Sequence, residues 1–261
     1  MTQSIVLQGF VPLRREPSER SEMISQILFG ESFDILEQRS GWAFIKLHFD
    51  AYEGWAVQSD IHELNTPNDP SLETRIVSSQ VTTVIRKRTN QQVLLPAGAV
   101  AANFSDGSFR VNGETFQVEN GDHFLKAERS NDIEKIVRQF TSIPYLWGGR
   151  CGFGFDCSGL VQYLCRIKGI DMPRDSTEQA ELGENVNFIH EIMPGDLAFF
   201  DNTEGEINHV GFVMEGGCIV HSSGFVKIDR IDQQGIFNVE RGKYTHRLRV
   251  IKRIAVGRRQ G

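Results

Sequence analysis

The sequence predicts an α+β chain in three parts: two small all-β units, then a domain whose helices precede an antiparallel sheet. Three observations carry that expectation. Up to about residue 126, short apolar runs alternate with turn residues. After residue 130, apolar residues repeat at helical spacing. From Asp196 onward, strand-like runs return, and helices followed by antiparallel strands define the α+β class.

The first unit is expected over 1–66. Ile24 to Phe29 and Phe33 to Leu36 read as strands, and Gly41-Trp42 and Gly54-Trp55 each begin or end another. Strands this short and closely spaced imply a small barrel. Asn65-Thr66-Pro67-Asn68-Asp69-Pro70 is a linker, because proline and Asx residues punctuate structure. The second unit, 74–128, contains strands at Val81 to Ile85, Val93 to Leu95 and Ala99 to Phe104. Phe109 to Phe116 is a hairpin with Asn112-Gly113 at its turn, since both central positions need positive φ.

The third unit, 129–261, opens on a helix capped by Ser130 or Asn131, with Ile133, Ile136, Val137 and Phe140 on its apolar face. Pro144 ends it. A glycine-rich loop, 145–154, leads into a second helix with Leu160, Leu164 and Ile167 on one face and Gly169 as its stop. Strands follow at Asp196 to Phe200, Ile207 to Met214 and Cys218 to Ser222.

Composition removes several function classes. The chain has 261 residues and a formal net charge of −6, with no basic block to hold nucleic acid. The basic ending Arg247 to Arg259 is interrupted by apolar residues and reads as a terminal strand with a charged face. Cys151, Cys157, Cys165 and Cys218 match no paired zinc spacing, and four cysteines in a chain this long do not suggest a disulfide framework. No apolar run is long enough for a membrane span. The first residues carry neither a basic nor a long apolar leader segment. A cytoplasmic protein is the expectation.

The chemistry centres on Phe155-Asp156-Cys157-Ser158-Gly159-Leu160-Val161. A cysteine at a helix start meets unpaired N–H groups and the positive end of the dipole, which lower a thiol pKa. His209 shares a strand face with Ile207, Gly211 and Val213. Ile219 and His221 share a face of the next strand. If Glu215-Gly216-Gly217 is a three-residue loop, Met214 pairs with Cys218 and His221 lies opposite Gly211. The two imidazoles are then diagonal neighbours roughly 7–8 Å apart at the backbone, with Gly211 leaving room between them. Cys157 becomes the nucleophile, His209 its base and His221 the group that orients His209. A thiolate–imidazolium pair already formed at neutral pH would offset the weakness of a neutral third group.

Plainer explanations exist for each residue taken singly. A cysteine in an apolar helix is usually packing, and a lone histidine is more often structural. Asp175-Ser176 reads as a helix N-cap, with Ser176 and Gln179 as a capping box. A zinc site on Cys157, His209 and His221 is the competing chemistry, but no fourth ligand or activating acid is evident. No metal or cofactor is expected.

Residues 130–257 resemble the NlpC-type cell-wall cysteine peptidases, a bacterial branch of the papain-like group. The matching pieces are Pro144-Tyr145-Leu146-Trp147-Gly148-Gly149, Phe155 to Leu160, Pro173-Arg174-Asp175-Ser176, Pro194 to Phe200, His209-Val210-Gly211 and His221-Ser222-Ser223-Gly224. The resemblance implies a papain-like catalytic domain, a Cys157-His209-His221 triad and bacterial SH3-like folds for both N-terminal units. It is strongest to the γ-D-glutamyl-L-diamino acid endopeptidases, also called dipeptidyl-peptidase VI. These cut murein peptides between γ-D-Glu and L-lysine or meso-diaminopimelate when L-Ala is a free N-terminus. That subgroup implies Asp175 as the partner of the substrate ammonium, helped by Glu22 and Tyr52 from the first barrel. Ser176 and Trp147 are implied at the substrate, and Tyr145 and Ser158 line the cleft, with Tyr145 polarising the carbonyl. The implied partner is a released murein peptide, met by a monomer without nucleic acid or membrane. A non-catalytic peptidoglycan-binding module and a papain-like amidase or acyltransferase on another acyl substrate are the alternatives.

Overall fold

The computed structural model describes residues 3–69, 71–126 and 133–255. The Ser130–Asn131 cap, Pro70 of the linker and the end of the basic C-terminal run lie outside them. The chain is mostly sheet. Its described α-helices are α1 (Ile133–Phe140), α2 (Cys157–Ile167) and α3 (Ser176–Gln179).

The first unit is a sheet of seven short antiparallel strands between Gln3 and Glu63. It encloses Val11, Leu13, Ile27, Phe33, Ala43 and Ile45. The second unit pairs a four-stranded and a three-stranded sheet between Glu73 and Lys126. Its Asn112-Gly113 hairpin forms as expected, with φ of 49° and 77°. Phe104, Phe109, Phe116 and Phe124 fill its interior. Phe29 of the first unit inserts among them, 5.1 Å from Phe116 and 6.0 Å from Phe109, edge to face. Ile5, Leu7 and Phe29 of the first unit thus belong to the second unit's core, while the first unit keeps a core of its own.

In the third unit α2 packs on one sheet face through Leu160, Val161 and Leu164 against Phe199, Val210, Phe212 and Val220. The other face carries Ala198, Phe200, Val213, Ile219, Ile236 and Ile251. The expected antiparallel sheet closes on itself. Strand Lys243–Arg253 pairs with Leu197–Asp201 on one side and with Gly235–Asn238 on the other, so six strands close into a barrel. Closure needs glycine at 235: its φ is 141°, and a Cβ there would lie 1.8 Å from the His246 carbonyl oxygen.

A buried ion cluster joins the first unit to the third. Arg150 makes hydrogen bonds of 3.0 and 3.1 Å to the two Glu31 carboxylate oxygens, and Arg166 also donates to Glu31. Arg150 further donates to the Gln26 carbonyl, and Gln162 to Asp50. These bonds set where the first unit stands relative to α2.

Candidate active site

The loop before α2 is built on close backbone approach. A Cβ on Gly159 would lie 2.2 Å from the Gly149 oxygen, so only glycine lets the first turn of α2 sit against the loop. Asp156 caps α2 by accepting from the Gly159 N–H at 2.7 Å, and it also accepts from the Gly148 N–H at 2.9 Å. Arg174 closes on the same carboxylate with both Nη groups, and its Nη1 donates to Ser158 Oγ at 2.8 Å. Asp156 and Arg174 thus orient the segment that presents Cys157.

The strands are tied to that loop. Ser222 Oγ donates to the Phe155 carbonyl at 2.7 Å. The expected register holds: Met214 pairs with Cys218 and Phe212 with Val220. His209 Nε2 and His221 Nδ1 are 2.9 Å apart. The stated reason for Gly211 needs correction. A Cβ there would lie 2.6 Å from Ile219 Cδ1, so the glycine accommodates Ile219 and not the imidazoles.

Sequence reasoning missed what lies behind His221. Its Nε2 is 3.1 Å from Asp229 Oδ2, and Asn238 Nδ2 donates to both Asp229 oxygens. Burial works to raise the Asp229 pKa, but the bonds from His221 and Asn238 overcome it and hold the carboxyl below its usual range. An ionised Asp229 only accepts, so His221 carries its proton on Nε2. His221 Nδ1 then accepts from His209 Nε2–H, which leaves the lone pair of His209 on Nδ1. The signal for Asp229 was present in the sequence. The Ser223-Gly224-Phe225 turn sets Ile219 opposite Asp229 and His221 opposite Lys227. Asp229 is therefore a diagonal neighbour of His221. His246, stacked on His209 with centroids 4.1 Å apart, gave no such signal, because barrel closure brings it there.

Burial works against the ion pair expected from the helix start. Burial pushes the Cys157 thiol up to about 11, with the Asp156 charge adding to it and the Val210 and Ser158 N–H groups opposing. Burial, then the neighbouring His246 and His221, hold His209 well below its ordinary value. Burial thus favours the neutral thiol and neutral imidazole over the ion pair that the helix start suggested. Iodoacetamide labelling of Cys157 is expected to keep accelerating from about pH 7 to about pH 10, following the fraction ionised. A plateau below neutrality would mean an ion pair after all.

The thiol opens into a cleft of about 500 Å³ lined by Tyr145, Trp147, Ser158, Asp175, Ser176, Glu22 and Tyr52, among others. The structure thus brings together every site residue named from the sequence except the two histidines, which sit on the adjoining strands. Tyr52 Oη donates to the Asp175 carboxylate at 3.2 and 3.3 Å, across the boundary between first and third units. Asp175 precedes α3, but its side chain makes no capping bond, and Gln179 donates to the Ser158 and Pro173 carbonyls. The capping-box explanation fails. Glu22 arrives already partnered, by Arg15 Nε and Trp147 Nε1, each at 2.7 Å. Arg15 is a cleft residue the sequence did not single out. Burial and the Asp175 charge raise the Tyr52 pKa, and burial and Cys157 raise that of Tyr145, so both remain hydroxyl donors.

Comparison with known proteins decides what this arrangement belongs to. Residues 142–243 match the NlpC/P60 family, and residues 13–61 match the bacterial dipeptidyl-peptidase Sh3 domain. The chain carries an NlpC/P60 domain. It is a cysteine peptidase with an SH3-like N-terminal domain. A gamma-D-glutamyl-L-lysine dipeptidyl-peptidase of Bacillus subtilis is 29% identical over 218 residues, which are 76% of this chain and 71% of the relative. One of the same name from Bacillus cereus is 25% identical over 234 residues, 77% and 68% of the two chains. The chain shares its fold with an NlpC/P60 family protein from Bacillus cereus, with a TM-score of 0.80 at 19% identity, covering 97% of this chain and 99% of that one. Among the described residues no helix is long and apolar enough to cross a membrane.

Proposed function

We propose that this peptidase hydrolyses the bond between γ-D-Glu and L-lysine or meso-diaminopimelate in murein peptides with a free N-terminal L-Ala, releasing L-Ala-γ-D-Glu. One observation carries the proposal. Asp175, bonded to Tyr52 of the SH3-like domain, puts an acceptor-rich anionic wall at one end of the cleft that holds Cys157. An ammonium ion partly removed from water needs such fixed negative charge. The names of the Bacillus relatives support the substrate class.

In this mechanism Cys157 Sγ attacks the γ-carbonyl carbon while its proton passes to His209 Nδ1. Tyr145 Oη and the Ser158 region face the developing oxyanion. Collapse expels the diamino acid, whose amine takes the proton from His209. Water then cleaves the thioester with His209 as base. His221, held by Asp229, orients His209 and stabilises its positive charge. Trp147 and Ser176 border the bound dipeptide, and Glu22, offset by Arg15, adds weakly to the amine subsite.

Wall-linked stems have L-Ala amide-bonded to muramate and present no ammonium, so the substrates are peptides already detached and the role is recycling. We further propose that 1–66, 74–128 and 129–261 are the domain units, that the second is also SH3-like, and that the enzyme acts as a monomer, since one chain completes the cleft.

Mass spectrometry of a defined free murein tetrapeptide is expected to yield L-Ala-γ-D-Glu and the remaining dipeptide. Cleavage at any other bond refutes the assignment. N-acetylating the L-Ala should remove cleavage, and Asp175→Asn should raise KM for the free peptide by roughly 30-fold or more, the scale of a desolvated charge contact of about 2–5 kcal/mol. Equal rates on free and acetylated peptides would sink the ammonium anchor.

A further inference from the structure

We propose that His209, His221 and His246 form a binding site for a divalent transition-metal ion of the zinc or copper class, and that occupancy switches the peptidase off. The three side chains each offer a nitrogen within 4.8 Å of the others. They come from three strands, Ile207–Met214, Cys218–Ser223 and Lys243–Arg253. Only barrel closure brings the third to the other two, so the sequence offered Cys157, and not His246, beside the two histidines.

His246 Nε2 keeps a free lone pair, and the lone pair of His221 Nδ1 is engaged only by the His209 Nε2–H that an ion would displace. His221 gives its Nε2–H to Asp229, so Nδ1 is unprotonated. Thr245 Oγ1 donates to the Ile236 carbonyl at 3.4 Å and lies 2.9 Å from His246 Nδ1. With the hydroxyl proton on that carbonyl, the oxygen accepts the His246 Nδ1–H and the His246 lone pair is on Nε2. The chain His221–Asp229–Asn238 is the outer support that metal-bound imidazoles use to fix tautomer and ring orientation. An all-imidazole donor set suits zinc, copper, nickel or cobalt and not calcium or magnesium.

Zinc–nitrogen bonds are about 2.0–2.1 Å long, which puts bound nitrogens roughly 3.3 Å apart. The His209–His221 pair, at 2.9 Å along a shared hydrogen bond, must open and both rings must tilt so that their lone pairs converge on the ion. His246, half-buried where the other two are buried, must turn out of its stack on His209 to close the site.

Binding has a defined consequence for catalysis, which rests on the reading of His209 as base. The metal takes the Nε2 lone pair of His209, so the proton on that nitrogen moves to Nδ1. The nitrogen that would accept the Cys157 proton is then blocked, and the His209–His221 bond is lost.

The test uses the full chain with Cys157→Ala, which keeps the thiol out of the ligand set, titrated with Zn²⁺ by calorimetry and with Co²⁺ by visible absorption. One ion per chain and the intense bands of four-coordinate Co²⁺ are expected. His246→Phe, which keeps a ring for stacking, and His246→Leu should each weaken Zn²⁺ at least about 10-fold. In the chain with Cys157 intact, zinc inhibition of peptide cleavage should shift by the same factor. Unchanged zinc affinity in both His246 variants, or Co²⁺ bands of the hydrated ion only, overturns the site. Loss of metal with His246 in a chain that cleaves no murein peptide supports the site and refutes the substrate assignment instead.

Discussion

Replacing Cys157 with alanine is expected to lower kcat on a free murein tetrapeptide by roughly 10⁴-fold or more, because the attacking atom is gone while the rest of the site remains. Binding should persist. Cys157 is small and buried at the first turn of α2, and the loop around it is held by Asp156 and Arg174, which the substitution does not touch. Isothermal titration with the intact tetrapeptide should return an affinity close to the Michaelis constant of the parent protein, with no heat of hydrolysis. Residual turnover near the parent rate would remove Cys157 from the mechanism. Lost binding together with lost turnover would point to a collapsed loop, which the Gly159 and Asp156 contacts argue against. The burial of the pair adds a pH expectation. His209, held well below its usual value, remains a neutral base as pH falls, so the acid limb of kcat/KM should lie below about 6.5, the ordinary histidine value.

The largest stability effect is expected at Glu31. Its side chain is 1% exposed and is shared by Arg150 and Arg166, at 2% and 11%. Glu31→Gln leaves two buried guanidinium groups without a counter-charge, and removing one partner of such a pair costs about 3–5 kcal/mol. Denaturant unfolding should show that loss as a lower midpoint at unchanged slope. A change within about 0.5 kcal/mol, the range of ordinary surface substitutions, would mean that water reaches the cluster. Burial works to raise the Glu31 pKa, but Arg150 and Arg166 outweigh it and hold it below the usual value. Its ionised form therefore contributes stability that is fully present above the unfolded value of about 4.3 and is lost as pH falls through the lowered one. The parent protein should lose stability over that acid window, and Glu31→Gln should lose less. Because the cluster positions the SH3-like domain over the cleft, KM for the free peptide should rise in the variant that remains folded.

Much of the site's local geometry was legible before any coordinates. Period-two alternation and a three-residue loop were enough to put His209 and His221 on one face, and their nitrogens are 2.9 Å apart. The same register logic extended one hairpin further reaches Asp229, which was overlooked and not hidden. Asp175 was ambiguous for a different reason. An aspartate before a short helix looks the same in sequence whether it caps the helix or faces a cleft, and only the Tyr52 contact distinguishes the two. Burial opposes the thiolate that a helix start favours, and the depth of burial is not visible in sequence.

By itself the sequence determined the α+β class, the cysteine at the start of its helix, the glycine-rich approach to it, the Asn112-Gly113 hairpin and the histidine pair. Each is set by turn chemistry or by periodicity over a few residues, which act at short range. Tertiary structure alone decided that Tyr52 meets Asp175 across 123 residues, that Glu31 clamps Arg150 and Arg166, that Arg15 already occupies Glu22 and that barrel closure carries His246 to His209. Those contacts depend on which buried surfaces pack together, and no local pattern records that choice.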